Sequence, residues 1–220
     1  MKILVVSPHP DDETLGAGGT LIKMKKEGHR IYWLNVTDMR VEYGWDEKLV
    51  AHRQEQIRAV RDFYGFDGFY NLSLAPAGLS GMDEGELIGA LRRVFGEIMP
   101  EWIIIPGQYD AHSDHHAVYN CCMACAKTFR APYIRRVTTM EIISETDYGF
   151  QKEKFEPNLF VDITNEMEDK LRAMKLYDTE IESVPFPRSL ENIRALAAVR
   201  GASAVSRYAE AFCIVKQIEA

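Results

Sequence analysis

The chain is poor in cysteine. Only four occur among 220 residues, and three of them, Cys121, Cys122 and Cys125, crowd into one stretch. A disulfide-stapled secreted fold spreads its cysteines to close loops, so this pattern speaks against that class. No second C-x-x-C accompanies Cys122-Met123-Ala124-Cys125, which leaves a four-thiolate zinc site without half its ligands. The thiols read instead as small buried side chains on one helix. Cationic charge is also short. Lys and Arg number 26 against 33 Asp and Glu, for a formal net charge of −7. That is the wrong sign for a protein whose affinity for a phosphate backbone comes from cationic side chains. No apolar run approaches the roughly 18 residues of a membrane span. The opening Met-Lys-Ile-Leu-Val-Val meets Ser7, His9, Asp11 and Asp12 too soon for a secretory signal. These absences predict a cytoplasmic protein with neither a nucleic acid nor a membrane as partner.

What remains is ordinary globular composition, 46% hydrophobic and 27% charged. With no linker, low-complexity tract or internal repeat, and at about 150 residues per domain, residues 1–220 read as a single domain. Lys2–Val6 (KILVV), Arg30–Val36 (RIYWLNV), Gly68–Leu74 and Trp102–Ile105 (WIII) read as strands. Several are continuously apolar, as strands covered on both faces are. Between them, Thr14–Glu27, Glu47–Tyr64 and Glu84–Met99 carry helical apolar spacing, with Gly28, Gly65 and Pro100 as stops and Asp83 as a cap. Ala75–Met82 and the polar Gly107–Asp114 read as loops, and Ala117–Phe129 as a buried helix. This alternation predicts an α/β, Rossmann-like architecture: a mostly parallel sheet with helices on both faces. A C-terminal extension follows, with strands at Val137–Ile143, Asn158–Asp162 and Phe212–Gln217 and helices at Asn165–Tyr177 and Ser189–Arg200.

In an open parallel sheet, ligands bind beyond the carboxyl ends of the strands. Two loops at such ends are rich in metal-binding groups. One is Ser7-Pro8-His9-Pro10-Asp11-Asp12-Glu13, and the other is Asp110-Ala111-His112-Ser113-Asp114-His115-His116. Together they hold four of the six histidines. An aspartate before a helix can serve merely as a cap, but clustered imidazoles and carboxylates at two strand ends point to a site. His9 and Asp12 are spaced to grip one ion from a single turn, and His112 or His115 supplies a third donor. Three protein ligands leave a position for water, the arrangement of a catalytic zinc. Such an ion lowers the pKa of its water to about 7. Asp11 is then free to act as general base, and the remaining histidine, if protonated, to stabilise an oxyanion. Asp114 is placed to orient that imidazole and favour its charged form. Two histidines and a carboxylate also accept ferrous iron, cobalt or manganese.

Gly16-Ala17-Gly18-Gly19 resembles a dinucleotide loop only superficially. Seven residues, Ser7 to Glu13, most of them polar, come between the strand and the helix that carries these glycines, where the fingerprint should follow the strand at once. The glycines read better as permitting close approach of the helix to the sheet or a substrate. A two-metal phosphoesterase built on Asp114-His115-His116 is a rival, although no other strand end supplies a spare acidic cluster. A ferrous oxygen-activating site and a sugar-binding module without turnover are further alternatives.

Pro8-His9-Pro10-Asp11-Asp12-Glu13, running on into Leu15-Gly16-Ala17-Gly18-Gly19-Thr20-Leu21, resembles the LmbE-like (PIG-L type) family of zinc-dependent sugar N-deacetylases. His112-Ser113-Asp114-His115 resembles its second motif. Shorter matches run through Thr37-Asp38, Arg53-x-Glu55, Phe186-Pro187-Arg188-Ser189, Arg200-Gly201 and Ala209-Glu210-Ala211-Phe212, so the likeness spans the chain. The resemblance implies a Rossmann-like fold and hydrolysis of an acetamide on an N-acetylglucosamine-type sugar or small conjugate. It also implies self-association into a homo-oligomer. Carried over by position, it implies His9, Asp12 and His115 as metal ligands and Asp11 as general base. His112 becomes the oxyanion stabiliser with Asp114 as its partner, and Arg53 and Arg188 become substrate contacts. Ser113 stands where the family usually has Pro, His116 where it often has Arg, and Met39 where it often has Gly. His116 is expected to point away. The loop Met39–Asp46 is expected to shape its own pocket, with Tyr43 and Trp45 available to stack on a sugar face.

Overall fold

A computed structural model describes residues 1–149 and 154–219. Among these residues seven strands form one sheet: β1 (Lys2–Ser7), β2 (Arg30–Thr37), β3 (Gly68–Leu74), β4 (Trp102–Ile105), β5 (Arg136–Met140), β6 (Leu159–Asp162) and β7 (Ala209–Gln217). Their order is β3-β2-β1-β4-β5-β7-β6. The first five are mutually parallel, whereas β7 runs antiparallel to both β5 and β6. This is the mostly parallel sheet with added C-terminal strands that the strand–helix alternation predicts.

Six helices cover the sheet: α1 (Asp12–Lys26), α2 (Glu47–Tyr64), α3 (Glu84–Ile98), α4 (Ser113–Cys125), α5 (Met167–Met174) and α6 (Leu190–Ser203). Side chains of β1 alternate between two cores, as the pleat requires. Ile3 and Val5 join Leu21 of α1, Val60 of α2, Leu171 of α5 and Ile193 of α6. Leu4 and Val6 join Leu91 and Phe95 of α3 and Val118 and Cys122 of α4. Both faces are therefore covered. No helix among the described residues is long and apolar enough to cross a membrane.

Local chemistry sets the helix ends. Asp46 accepts from the amides of Lys48 and Leu49 at the start of α2, and Gly65 closes that helix with φ 60°. Asp83 and Ser189 cap α3 and α6 through Glu86 and Asn192. Each such cap contributes about 1 kcal/mol.

Several predicted boundaries move. α4 begins at Ser113 rather than Ala117, because His112 caps it: its Nδ1 accepts from the Asp114 amide at 3.1 Å. The polar Asp114-His115-His116 run is thus a helical first turn rather than loop. α4 ends at Cys125 instead of Phe129, and α5 is shorter than Asn165–Tyr177. β5 stops at Met140 rather than Ile143, and β7 starts at Ala209 rather than Phe212.

The glycines of α1 answer to packing. A Cβ on Gly16 would stand 2.6 Å from Met140 Sδ, one on Gly18 2.7 Å from the Tyr64 hydroxyl, and one on Gly19 2.8 Å from Ile163. Glu210 accepts from the amides of Gly19 (2.9 Å) and Thr20 (2.7 Å) in mid-helix. Lys170 Nζ donates to Glu210 at 2.6 Å and to the Leu15 carbonyl at 2.7 Å. A buried ion pair thus grips α1 from the side beside Gly18, where an added Cβ would stand 3.4 Å from Lys170 Cγ.

Candidate metal centre

β1 feeds α1 and then β2 on one side of the sheet, while β4 and β5 lie on the other. The carboxyl ends of β1 and β4 therefore flank a switch in strand order, where a crevice opens. The loop after β1 brings His9, Asp11 and Asp12, and the loop after β4 brings His112, Asp114 and His115.

These two segments meet. One donor atom each from His9, Asp12 and His115 lies within 4.8 Å of the others. Asp12 Oδ2 stands 3.5 Å from His9 Nδ1 and 3.4 Å from His115 Nε2. It also accepts from the His9 amide at 2.8 Å. His115 is fully buried, yet its Nε2 has no hydrogen-bond partner. An orphaned buried imidazole nitrogen is costly unless something else meets it. Two imidazoles, one of them presenting that orphaned atom, and a carboxylate fit one divalent cation such as zinc. The other nitrogen of His115 faces Asp110 Oδ2 at 2.8 Å. Asp110 is itself held by the Gly107 amide (3.0 Å) and the Thr146 hydroxyl (2.8 Å). A carboxylate behind a ligand histidine fixes its orientation and raises its basicity.

Charge is concentrated here. Burial disfavours a charged His115, but the carboxylates of Asp12 and Asp110 carry it up to about 10. Burial likewise opposes charge on His9, yet Asp114 and Asp12 bring it to about 9. Asp12 is buried, but His115 and His9 hold its carboxyl well below the usual range. Asp11 behaves oppositely. Burial and the neighbouring Asp12 raise it to about 8, against the pull of Arg188.

Asp11 has φ 132°, a conformation L-residues rarely adopt. Its amide donates to Glu13 Oε2 at 3.2 Å. Glu13 Oε1 receives the hydroxyls of Thr14 (2.7 Å) and Tyr177 (2.8 Å), and Tyr64 donates to Thr14 Oγ1 at 3.1 Å. A buried hydroxyl–carboxylate network therefore stands behind the Asp11 backbone.

Two expected relationships take a different form. Asp114 does not lie against the His112 ring as an orienting carboxylate: its Oδ2 is 4.0 Å from His112 Nδ1. That oxygen instead meets His9 Nε2 at 3.1 Å and the Ala77 amide at 2.7 Å, while Oδ1 accepts from Leu79. The reason is the helix cap, which aims His112 Nδ1 at the Asp114 amide instead. His112 packs edge-on to His9, with ring centroids 4.4 Å apart, and burial together with His9 lowers its pKa. Arg188 donates to Asp11 Oδ2 at 2.7 Å and to Glu180 at 3.1 Å. Arg53 pairs with Glu180 and reaches the Pro10 carbonyl at 3.3 Å. His116 Nε2 turns to the Asp110 carbonyl. Arg53 and Arg188 line a cavity of about 320 Å³ together with His9, Asp11, Asp12, His112, Trp45 and Glu145. Tyr43 bonds the Ser73 carbonyl instead of lining this cavity.

Asp110 and Glu13 are the supporting residues that motif reading passed over. Their signals were present: a carboxylate five positions before His115, and a third acid after two.

The first motif and the second lie within one family match: the PIG-L family, described as GlcNAc-PI de-N-acetylase, matches residues 4–126. The chain belongs to the PIG-L family. A diacetylchitobiose deacetylase of Thermococcus kodakarensis is 26% identical over 231 residues, covering 99% of this chain and 84% of that protein. A conserved protein of Thermus thermophilus superposes with a TM-score of 0.77 at 26% identity, covering 99% of this chain and 96% of the other. The N,N'-diacetylchitobiose deacetylase of Pyrococcus horikoshii gives 0.77 at 22% identity, covering 98% and 84%, and shows likeness of fold.

Proposed function

We propose that this PIG-L family member is a metal-dependent deacetylase that removes the N-acetyl group from an N-acetylglucosamine-type amino sugar or small conjugate. The observation that carries the reading is the convergence of His9, Asp12 and His115 on one point, with Asp11 beside them and bound by none of the three. His9, Asp12 and His115 would hold the ion, zinc by donor type, with iron, cobalt or manganese compatible. When bound, the ion supplies an activated water and polarises the acetyl carbonyl.

The remaining chemistry belongs to side chains. Asp11 takes a proton from the attacking water and returns it to the departing amine. Its carboxyl, lifted to about 8 by burial and Asp12, is basic enough for the first transfer and acidic enough for the second. His112 faces the cavity beside His9; its Nδ1 accepts from the Asp114 amide, so a neutral ring keeps its proton on Nε2 and donates it as a hydrogen bond to the developing oxyanion, with no need for a charged imidazole. Arg188 holds Asp11 and is itself held by Glu180, which Arg53 fixes in turn. The diacetylchitobiose deacetylase among the relatives supports an amino-sugar substrate.

A second donor grouping, His9, His112 and Asp114, shares His9 with the first. That sharing favours one ion over the pair a phosphoesterase of the two-metal type employs. The test is acetate release from N,N'-diacetylchitobiose by protein stripped with a chelator and then given Zn²⁺. Release that depends on the ion supports the reading. Release unaffected by stripping, or none from any N-acetylated saccharide with the ion present, overturns it.

A further inference from the structure

Resting on the deacetylase reading, we infer that the site selects an uncharged or amine-bearing glycoside over a phosphate- or carboxylate-bearing one, and that Glu145 makes this selection. Glu145 stands five residues beyond the end of β5. It lines both the cavity at the metal centre and an outer groove formed with Ala111, His116 and Tyr148. Any substituent leaving the cavity toward that groove passes it.

The turn that carries Glu145 is built. Its amide donates to the Ile142 carbonyl at 3.1 Å, and its carbonyl accepts from the Ala111 amide at 2.9 Å. Ser144 before it holds φ 75°. With its backbone tied on both sides, the residue presents a half-buried carboxylate that has no hydrogen bond or ion pair among the described residues. An unpaired acceptor at a cavity wall asks for a donor from the ligand.

The cations of the cavity are already opposed. Arg188 divides Nη1 between Asp11 and Glu180, and Arg53 faces Glu180. Of the five carboxylates that line the cavity, Asp12 would face the ion, and Asp11 and Glu180 face the two guanidinium groups, which leaves Asp38 and Glu145 with no cation opposite them among the described residues. An anionic substituent would have to break one of those pairs and also sit near Glu145, where like charge is costly in a partly desolvated setting. A sugar hydroxyl or an ammonium group meets the same carboxylate as a partner.

The experiment compares kcat/KM for N,N'-diacetylchitobiose and for N-acetylglucosamine 1-phosphate at low ionic strength. It uses metal-loaded wild type, Glu145→Gln and Glu145→Lys, with melting temperatures taken alongside. Wild type is expected to prefer the uncharged substrate by about tenfold or more. That ratio should shrink severalfold in Glu145→Gln and further in Glu145→Lys. The isosteric glutamine carries the test should the lysine variant not fold. A residue of purely structural importance would lower both activities in proportion and leave the ratio standing. A ratio near one in wild type, or one unmoved by Glu145→Gln, overturns the inference and leaves the deacetylase reading intact. Turnover of neither substrate removes that reading and this inference with it.

Discussion

Arg188 and Asp11, 177 positions apart, meet through a single 2.7 Å contact in the lining of the cavity. The guanidinium favours the charged carboxylate, opposing burial and Asp12. Replacing Arg188 with Met withdraws that support, so the Asp11 carboxyl titrates at a higher pH than before. A base must be unprotonated to act. The acidic limb of the kcat/KM profile should therefore move to higher pH, with activity at neutrality falling. Profiles that superpose would separate Arg188 from Asp11.

Asp11→Asn keeps the side-chain shape and the amide contact to Glu13 while abolishing the basic oxygen. Metal content, measured by emission spectrometry, should match wild type. Turnover should fall by about 10²–10⁴-fold. Activity at the wild-type level with verified metal would assign the proton transfer elsewhere.

Asp110→Asn leaves the ligand set whole but weakens the contact that orients His115. The affinity for Zn²⁺, measured by competition with a chromophoric chelator, should drop by about 10–100-fold. An unchanged constant would reduce Asp110 to a loop residue.

The thiols of α4 should be silent. Burial pushes Cys121 and Cys125 up to about 11 and Cys122 well above the ordinary thiol value. At pH 8 the thiolate fraction is thus small, and it grows only as pH rises toward those values. Titration with a chromogenic aromatic disulfide should find Cys213 alone, and slowly, in the native protein, and all four thiols in urea. Rapid reaction of Cys122 or Cys125 would show that these thiols are not buried packing groups.

Lys170→Met leaves the Glu210 carboxylate buried against α1 without its cation. Breaking one partner of a buried pair costs about 3–5 kcal/mol, and urea unfolding midpoints should show a loss of that order. A loss under about 1 kcal/mol would mean the pair behaves as an exposed one.

Much of this was readable from residue order. Continuous apolar runs such as KILVV and WIII marked buried parallel strands, and Gly65 and Asp83 marked helix ends. The two histidine-rich segments gave the candidate ligands, because strand ends on either side of a switch in order face one crevice. Polarity misled at α4, where a run of charged and imidazole groups reads as loop but forms a first turn capped by His112. The pairing of Asp114 with His9 depended on that turn, so periodicity could not supply it. The Arg188–Asp11 contact joins segments whose approach is fixed only by the whole tertiary arrangement. The reason for the glycines of α1 was likewise hidden, since Met140, Ile163 and Lys170 come from distant parts of the chain.

The three donors His9, Asp12 and His115 belong to segments about a hundred positions apart that approach only across a finished sheet. A cation held by them would act as a clasp between β1 and β4, engaging the native chain and not the unfolded one. Loading should then raise the melting temperature in step with free Zn²⁺. Resistance to heat would thereby report how much of the protein carries its metal.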